Sequence, residues 1–207
     1  MKLRSIDKDD IDQIVYIHER AFDGFLMTQL GSPFLKKYYE IAASYPKNIT
    51  AIKEIENQKI IGFAIGFMNP EEFYPQLVEK KFTLMKKAFR YLILRPWLWK
   101  RVLESYLFAG SDYYERKSSD SVAELASIAV LPEYKGRGAG KELITYFINQ
   151  AKAKNINMIT LTTDAENNDE VNLFYQRNGF ILSRAFEKSK GRLVNEYVYY
   201  IRLENEG

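Results

Sequence analysis

The chain has 207 residues, 46% of them hydrophobic, and its 30 Lys and Arg exceed its 27 Asp and Glu by a formal net charge of +3. This composition is typical of a folded globular protein, and the lack of cysteine with a single histidine excludes thiol nucleophiles, disulfides, iron-sulfur clusters and multi-histidine metal sites. We therefore expect no metal, and a cytoplasmic location is predicted because no apolar run could span a bilayer or serve as a signal peptide.

The first third of the chain is predicted to hold a short strand, two helices and a β-hairpin. Residues 2–6 form the strand, and the Asp7 side chain caps the helix that follows. The apolar face of that helix repeats every three or four residues, at Ile11, Ile14, Val15, His18, Ala21 and Phe22. A second helix begins at Ser32, and the β-branched and aromatic runs 49–56 and 59–68 form the hairpin.

Residues 71–120 differ in character from the rest of the chain. Aromatic and basic residues interleave there without strand-like alternation, which predicts two helices broken near Arg95 and Pro96. Ten basic and seven acidic residues between positions 70 and 120 account for the whole net charge. We predict a helical insertion over about residues 70–120, within a single domain that spans residues 1–207.

The last third returns to alternating strands and helices. Residues 121–131 are apolar or small at both alternating sets of positions, which predicts a central strand covered on both faces. The elements predicted after it are a helix from residue 140, a strand at 157–163, a helix ending at 178–179, and strands at 180–186 and 195–203. The whole pattern predicts a mixed α+β protein.

One glycine-rich segment joins the predicted central strand to a helix, and it reads Lys135-Gly136-Arg137-Gly138-Ala139-Gly140. Glycines let backbone N–H groups converge without Cβ atoms in the way, and a helix N-terminus adds partial positive charge. Such a turn suits a pyrophosphate. The glycine spacing does not match the GxGxxG pattern of dinucleotide-binding proteins. It does not match the P-loop pattern GxxxxGK(S/T) either, because Lys141 is followed by Glu142 and not by Ser or Thr.

A second motif lies about forty residues later, where a helix ends in Tyr175-x-x-x-Gly179-Phe180. Together the two motifs resemble the GNAT superfamily of acetyl-CoA dependent N-acetyltransferases, whose loop reads (Arg/Gln)-x-x-Gly-x-(Gly/Ala). Lys135 stands where Arg or Gln is usual, which affects a side-chain contact more than the backbone. The resemblance implies a twisted, mostly antiparallel mixed sheet flanked by helices, with the insertion between the third and fourth strands.

The resemblance also implies acetyl-CoA as cosubstrate, with no metal, and a set of residues that bind it. Backbone groups of Ile128 and Val130 would pair with the pantetheine arm like an extra strand, and Asn168 would touch the same arm. Residues implied to hold the pyrophosphate are Gly136, Arg137, Gly138, Gly140 and Lys141.

Direct transfer to an amine in a ternary complex needs no enzyme nucleophile, which agrees with the composition. The resemblance implies that Tyr175 protonates the leaving thiolate; the alternative is a packed core tyrosine. Glu124 is the candidate base because some histone-type members carry a glutamate there, where partial desolvation would raise its pKa. The alternatives are that Glu124 forms an ion pair or faces solvent, and that His18 is the base rather than a packed histidine.

The acceptor is predicted as a small-molecule amine. Residues 22–39 and 161–168 look like superfamily members from bacterial surface-polysaccharide and amino-sugar pathways, so an amino sugar comes first. A protein or peptide amine, and a catalytically weak CoA-binding or sensing module, are the alternatives. The sequence leaves the oligomeric state open, with a homodimer as one alternative.

Residues 80–101 contain eight basic residues and no acidic one, interleaved with aromatic side chains. Three interpretations compete. The segment is a helical cap whose aromatics pack on the domain, a lid whose basic side chains meet an acidic acceptor such as a nucleotide-linked amino sugar, or a surface that contacts anionic lipid. Nucleic acid is not an expected partner, because the remainder of the chain is neutral.

Overall fold

A computed structural model describes residues 2–55, 58–109, 121–189 and 191–201. Seven strands form one twisted sheet in the order β1-β2-β3-β4-β5-β7-β6, in which only the β4 and β5 pair is parallel. The strands are β1 (Lys2–Arg4), β2 (Asn48–Glu54), β3 (Ile60–Met68), β4 (Val122–Val130), β5 (Met158–Asp164), β6 (Ile181–Ser189) and β7 (Arg192–Tyr200). The predicted mixed, mostly antiparallel sheet is confirmed.

Helices cover both faces of this sheet. They are α1 (Ile11–Ala21), α2 (Leu26–Gln29), α3 (Ser32–Ser44), α4 (Pro70–Glu79), α5 (Lys81–Leu94), α6 (Leu98–Ala109), α7 (Ala139–Ala153) and α8 (Asp169–Arg177). The prediction of two helices between β3 and β4 is wrong, because this stretch forms three. The break at Arg95 and Pro96 is present, but a second break occurs at Lys80, where no proline or glycine marks it. Residues 110–120 of the predicted insertion lie outside the described residues.

Helix α2 was not predicted, since four residues are too short for an apolar periodicity. The Asp7 cap is shifted as well, because Asp7 caps a 3₁₀ turn, Lys8–Asp10, that precedes α1. Its carboxylate accepts from the Lys8 backbone N–H at 2.6 Å, and the Asp10 carboxylate accepts from the Asp7 backbone N–H at 2.7 Å. Among the described helices, none is long and apolar enough to cross a membrane.

Two apolar cores lie on opposite faces of the sheet. On one face, α1 and α3 pack on β3 around buried residues that include Ile14, Tyr39 and Phe63. On the other face, α7 and α8 pack around buried residues that include Phe147 and Tyr197. Because both faces are covered, β4 carries apolar or small residues on both of its faces, with Glu124 as the exception, as predicted for residues 121–131.

A β-bulge in β4 changes which residues face each core. Ile65 pairs with Ser127 and Gly66 pairs with Leu125, so Ala126 is the additional residue. Ala123 and Leu125 therefore lie in the α7 and α8 core, whereas Ala129 and Leu131, predicted to share their face, lie in the α1 and α3 core. That part of the prediction is wrong, because a bulge shifts the alternation by one residue.

Glycine at position 66 makes this bulge possible. A Cβ atom there would collide with the backbone oxygen of Glu124 and would lie 2.6 Å from the Phe147 ring. Only a residue without a side chain lets β3 approach β4 so closely. The bulge turns Ile128 and Val130 toward the α7 and α8 side, where they pack on the edge of that core.

Candidate active site

Strands β4 and β5 pair over three residues and then separate. Their parallel register runs from Val122 opposite Met158 to Glu124 opposite Thr160. Beyond that point β4 continues beside β3 as far as Val130, and β5 continues beside β7 as far as Asp164. The carboxyl ends of the two strands thus form a fork, and ligands of α/β proteins bind outside the carboxyl ends of such strands.

The edge of β4 that lines the fork carries Ile128 and Val130. Beyond Glu124 neither strand continues the β4–β5 ladder, although both are described over their full lengths. An extended chain could therefore hydrogen-bond to this edge as an added strand. Contact of Ile128 and Val130 with a cofactor arm stays a prediction.

The glycine-rich turn lies directly after β4, at the start of α7. Gly136 and Gly138 have positive φ angles of 75° and 84°, and Gly138 is the N-cap residue of α7. A Cβ atom at either glycine would meet nothing within 4 Å, so backbone conformation rather than packing selects glycine. The first N–H groups of the 15-residue helix have no partner within the helix, and with this open space they suit an anion.

The side chains around the turn have different roles. Arg137 is exposed, and its guanidinium lies 5.5 Å from the centroid of the Tyr134 ring. A Cβ atom at Gly140 would lie 3.3 Å from the Phe174 ring, so Gly140 allows α7 to approach α8. Lys141 lines a 270 Å³ cavity beside Leu3 of β1. Of these residues, Gly136 and Gly138 most clearly shape an anion site.

Tyr175 lies on α8 and is buried in the core that α7 and α8 cover. Its side chain is only 7% exposed and contacts the rings of Phe174, Phe180 and Tyr197 at centroid distances of 5.3, 5.8 and 5.9 Å. Burial raises the pKa of the Tyr175 phenol above its ordinary value of 10.0. The phenol therefore stays protonated at neutral pH, as a proton donor must. Val171, four residues earlier on the same helix, is exposed.

Asn172, which the sequence analysis did not select, fixes the position of α8. Its amide nitrogen donates to the backbone oxygens of Asp164 and Asn168, and its amide oxygen accepts from Asn195 at 2.9 Å and from Tyr197 at 3.0 Å. These bonds join α8 to β5 and β7, three residues before Tyr175. No hydrophobic periodicity could have identified Asn172, because Asn168 and Gln176, its neighbours at helical spacing, are polar as well.

Asn168 is the N-cap residue of α8 and is turned toward the end of β5. Its amide nitrogen donates to Thr163 Oγ1 at 2.8 Å and to the Asp164 backbone oxygen at 3.0 Å. Those bonds hold the end of β5 at the fork. Contact of Asn168 with a cofactor arm stays a prediction.

Glu124 sits at the last paired position before the fork, with its side chain on the α1 and α3 side. It pairs across strands with Phe67, which belongs to that core, and Tyr74 Oη of α4 donates to Glu124 Oε1 at 2.9 Å. Burial, and then the nearby Glu124 carboxylate, raise the pKa of Tyr38. Glu124 and Tyr175 therefore lie on opposite faces of the sheet.

His18, the alternative base, is packed in the core. It is 5% exposed, Nδ1 lies 2.7 Å from Tyr39 Oη, and burial lowers the His18 pKa from 6.5 to about 4. The ring contacts Phe22 and Tyr39 at centroid distances of 4.7 and 5.6 Å. This environment supports the interpretation of His18 as a packed, neutral histidine.

We expect His18 to make the folded protein sensitive to acid. Between pH 6.5 and about 4 the unfolded chain binds a proton on His18 that the folded chain does not. The free energy of unfolding therefore falls as pH falls, by at most about 1.4 kcal/mol per pH unit. Urea unfolding of His18→Gln across this range should show a shallower pH dependence than the wild type.

Tyr39→Phe is the control for this experiment. It removes the hydrogen-bond partner of His18 but leaves the burial that lowers its pKa. Its pH dependence should match the wild type, apart from a constant loss of stability. Equal slopes for His18→Gln and wild type would show that another group causes the acid sensitivity.

A cavity of about 430 Å³ lies between the end of α1, helix α2 and the turn between α5 and α6. Its lining combines a carboxylate, a guanidinium and an indole, from Asp23, Arg95 and Trp97, with Gly24, Thr28 and Gln29. Arg95 and Arg101 hold Gln29 through hydrogen bonds of 3.2 and 2.8 Å, which tie the turn to α2. Polar groups of both charges beside an aromatic ring suit a polar organic ligand.

Comparison with known families identifies the class of protein. The pattern of the Acetyltransferase (GNAT) family matches residues 13–180, which is most of the chain. The chain therefore belongs to the GNAT acetyltransferase family. GNAT acetyltransferases use acetyl-CoA, and the fork and the open glycine turn described above fit that cosubstrate. No curated protein is similar enough in sequence to count as a relative.

Solved structures show the same fold at low sequence identity. The ribosomal-protein-S18-alanine N-acetyltransferase from Escherichia coli has a TM-score of 0.60 and 15% identity, over 100% of this chain and 97% of that one. An aminoglycoside 6'-N-acetyltransferase complexed with coenzyme A has a TM-score of 0.63 and 11% identity, over 100% of both chains. A chimera of the Vibrio cholerae spermidine N-acetyltransferase has a TM-score of 0.60 and 14% identity, over 96% and 94%.

Proposed function

We propose that this protein transfers an acetyl group from acetyl-CoA directly to a primary amine in a ternary complex, with Tyr175 and Glu124 as the catalytic residues. The fork between β4 and β5 carries the proposal, because Glu124 is the last residue of β4 that pairs with β5 before the strands separate. Tyr175 lies on the opposite face of the sheet, in the core that α7 and α8 cover. A thioester in the fork would be accessible from both sides.

Acetyl-CoA supplies the activated acetyl thioester, and residues along one edge of the fork are proposed to hold it. Backbone groups of Ile128 and Val130 bind the pantetheine arm, and the Val130 N–H polarises the carbonyl. The N–H groups from Gly136 to Lys141, at the start of α7, bind the pyrophosphate. Arg137 is exposed beside that turn and adds positive charge.

Each of the two catalytic side chains is proposed to transfer one proton. Glu124 accepts a proton from the acceptor amine, which is mostly protonated near pH 7. Tyr175 donates its phenolic proton to the departing sulfur as negative charge develops there, and burial keeps that proton on the phenol beforehand. Tyr74 orients the base through its hydrogen bond to Glu124 Oε1.

The acceptor is proposed to be a small molecule, an amino sugar before other amines. The likeness of residues 22–39 and 161–168 to superfamily members from amino-sugar pathways supports this choice. One of the structural neighbours is an aminoglycoside acetyltransferase. A cytoplasmic location and the oligomeric state stay as predicted from the sequence.

Release of CoA measured against a panel of amino sugars, polyamines, amino acids and peptides tests this function. We expect turnover with an amino sugar and a smaller kcat/KM with peptides. Turnover with peptides alone would show that the acceptor is a protein or peptide amine. No turnover with any amine would favour a CoA-binding module.

Within that assay, Glu124→Gln tests the base. Glutamine keeps the shape but cannot take a proton, so kcat should fall by about 100-fold or more. The loss of activity that protonation of the carboxylate causes at low pH should also disappear. Glu72 is an exposed carboxylate on α4, two residues before Tyr74. Glu72→Gln is therefore the matched control and should keep the wild-type dependence of activity on pH. An unchanged profile in Glu124→Gln would assign proton removal to water.

A further inference from the structure

Helix α5 has apolar residues on two faces. Its inner face contributes Leu84, Ala88 and Leu92, which are buried against the rest of the protein. Its opposite face carries Phe82, Phe89 and Ile93, which are 79%, 56% and 59% exposed. These three follow the i, i+7, i+11 spacing of a single helical stripe. A helix at the surface of a globular protein needs apolar residues only on the inner stripe, which packs against the core.

The exposed stripe continues through the turn into α6. Leu94, Trp97, Trp99 and Leu103 are 67%, 63%, 48% and 58% exposed, whereas Leu98 is fully buried. We call the outer face of α5 and α6 the surface made by Phe82, Phe89, Ile93, Leu94, Trp97, Trp99 and Leu103. The prediction of a cap whose aromatics pack on the domain is wrong for these side chains, because buried aliphatic residues make the contact instead.

Basic side chains surround this outer face. Lys86 lies within the exposed stripe of α5, and Lys87, Arg90 and Lys100 are exposed beside it. Between positions 80 and 101 the sequence has eight basic residues and no acidic one. A partner must therefore cover apolar side chains and carry negative charge as well.

We propose that the outer face of α5 and α6 binds the surface of an anionic lipid bilayer. Phenylalanine and leucine side chains would enter the boundary between headgroups and acyl chains, and the two tryptophans would lie at headgroup depth. Lysine and arginine side chains would extend to lipid phosphates, which their long aliphatic stems allow. This surface shares no residue with the fork, so the proposal does not depend on the proposed function.

Charge makes two other partners less suitable. A second copy of the chain would place two basic surfaces against each other, and like charges at an interface are unfavourable. A nucleic acid would meet the basic groups but would leave Ile93, Leu94 and Leu103 without an apolar partner. A lipid surface satisfies both kinds of side chain at once.

Co-sedimentation with vesicles of phosphatidylcholine, with and without phosphatidylserine, tests the proposal on the full chain. Wild type should pellet with the anionic vesicles, less so as salt rises, because exposed charges are screened beyond about 8 Å at physiological ionic strength. Lys86→Glu with Lys87→Glu should weaken partitioning at least about tenfold, since each basic side chain near an anionic surface contributes about fivefold. Phe89→Ser with Ile93→Ser should weaken it similarly.

Matched controls make the result specific to this surface. Lys152→Glu with Lys154→Glu changes the same charge on α7, which covers the other face of the sheet, and should bind as wild type does. Ile181→Ser with Tyr200→Ser removes side chains that are 60% and 62% exposed and should also have no effect. Circular dichroism and acetyl-CoA affinity should be unchanged in every variant.

Four outcomes would overturn the proposal. Wild type could fail to pellet with anionic vesicles, or could bind both vesicle types equally and at all salt concentrations. It could also bind polyglutamate, used as a probe for an acidic protein, while ignoring the vesicles. Self-association abolished by Phe89→Ser with Ile93→Ser, without vesicle binding, would assign this face to a second copy of the chain and would likewise contradict a lipid partner.

Discussion

Tyr175→Phe should lower kcat by about 100- to 10,000-fold and leave the affinity for acetyl-CoA nearly unchanged. The hydroxyl is proposed to act only as negative charge develops on the sulfur, and a positioned acid of this kind contributes a factor in that range. Phenylalanine keeps the ring contacts with Phe174, Phe180 and Tyr197. Steady-state kinetics with a saturating amine, together with a titration of acetyl-CoA, measure the two quantities.

Tyr199→Phe is the control for this variant. Tyr199 contacts Phe180 at a centroid distance of 5.2 Å, so it belongs to the same aromatic cluster, but it lies on β7 rather than on α8. Loss of its hydroxyl should leave kcat unchanged. If Tyr175→Phe turned over as fast as Tyr199→Phe, Tyr175 would be a core residue and water would protonate the thiolate.

Gly138→Val should weaken acetyl-CoA binding by at least about tenfold. The open space beside Gly138 is where the pyrophosphate would approach the first N–H groups of α7, and a branched side chain would fill it. The φ angle of 84° also disfavours valine, with a cost in stability of about 1 to 3 kcal/mol. Calorimetric titration of acetyl-CoA and thermal unfolding followed by circular dichroism separate the two effects.

Gly191→Val provides the matched control, because Gly191 has a φ angle of 77° and equally open surroundings but lies in the turn between β6 and β7. It should lose similar stability and keep wild-type affinity for acetyl-CoA. A Gly138→Val protein that is folded and binds acetyl-CoA as tightly as Gly191→Val would show that the pyrophosphate binds elsewhere.

Features that depend on residues close in sequence were predictable here. The strand, glycine turn and helix around Gly138 lie within about twenty residues, and their order alone indicated an anion site. The periodicity of α1 identified most of the face that the structure buries. Local spacing determines these properties, because helix and strand geometry fixes which nearby residues share a face.

Other features depend on contacts between distant segments, and only the tertiary structure decided them. The bulge at Ala126 requires Gly66 on a different strand, and it reverses which core Ala129 and Leu131 join. The packing of His18 depends on Tyr39, twenty-one residues away. No periodicity in one segment contains this information.

The sequence by itself determined the family motifs, most of the order of strands and helices along the chain, and the basic character of residues 80–101. Tertiary structure decided that Glu124 and Tyr175 lie on opposite faces of the sheet, and that Phe82, Phe89 and Trp99 of α5 and α6 point outward. Strand β4 and helix α5 could each satisfy their local hydrophobic pattern in more than one orientation. Packing against the rest of the protein selects the orientation, because aliphatic residues such as Leu92 and Leu98 fill the inner contact first.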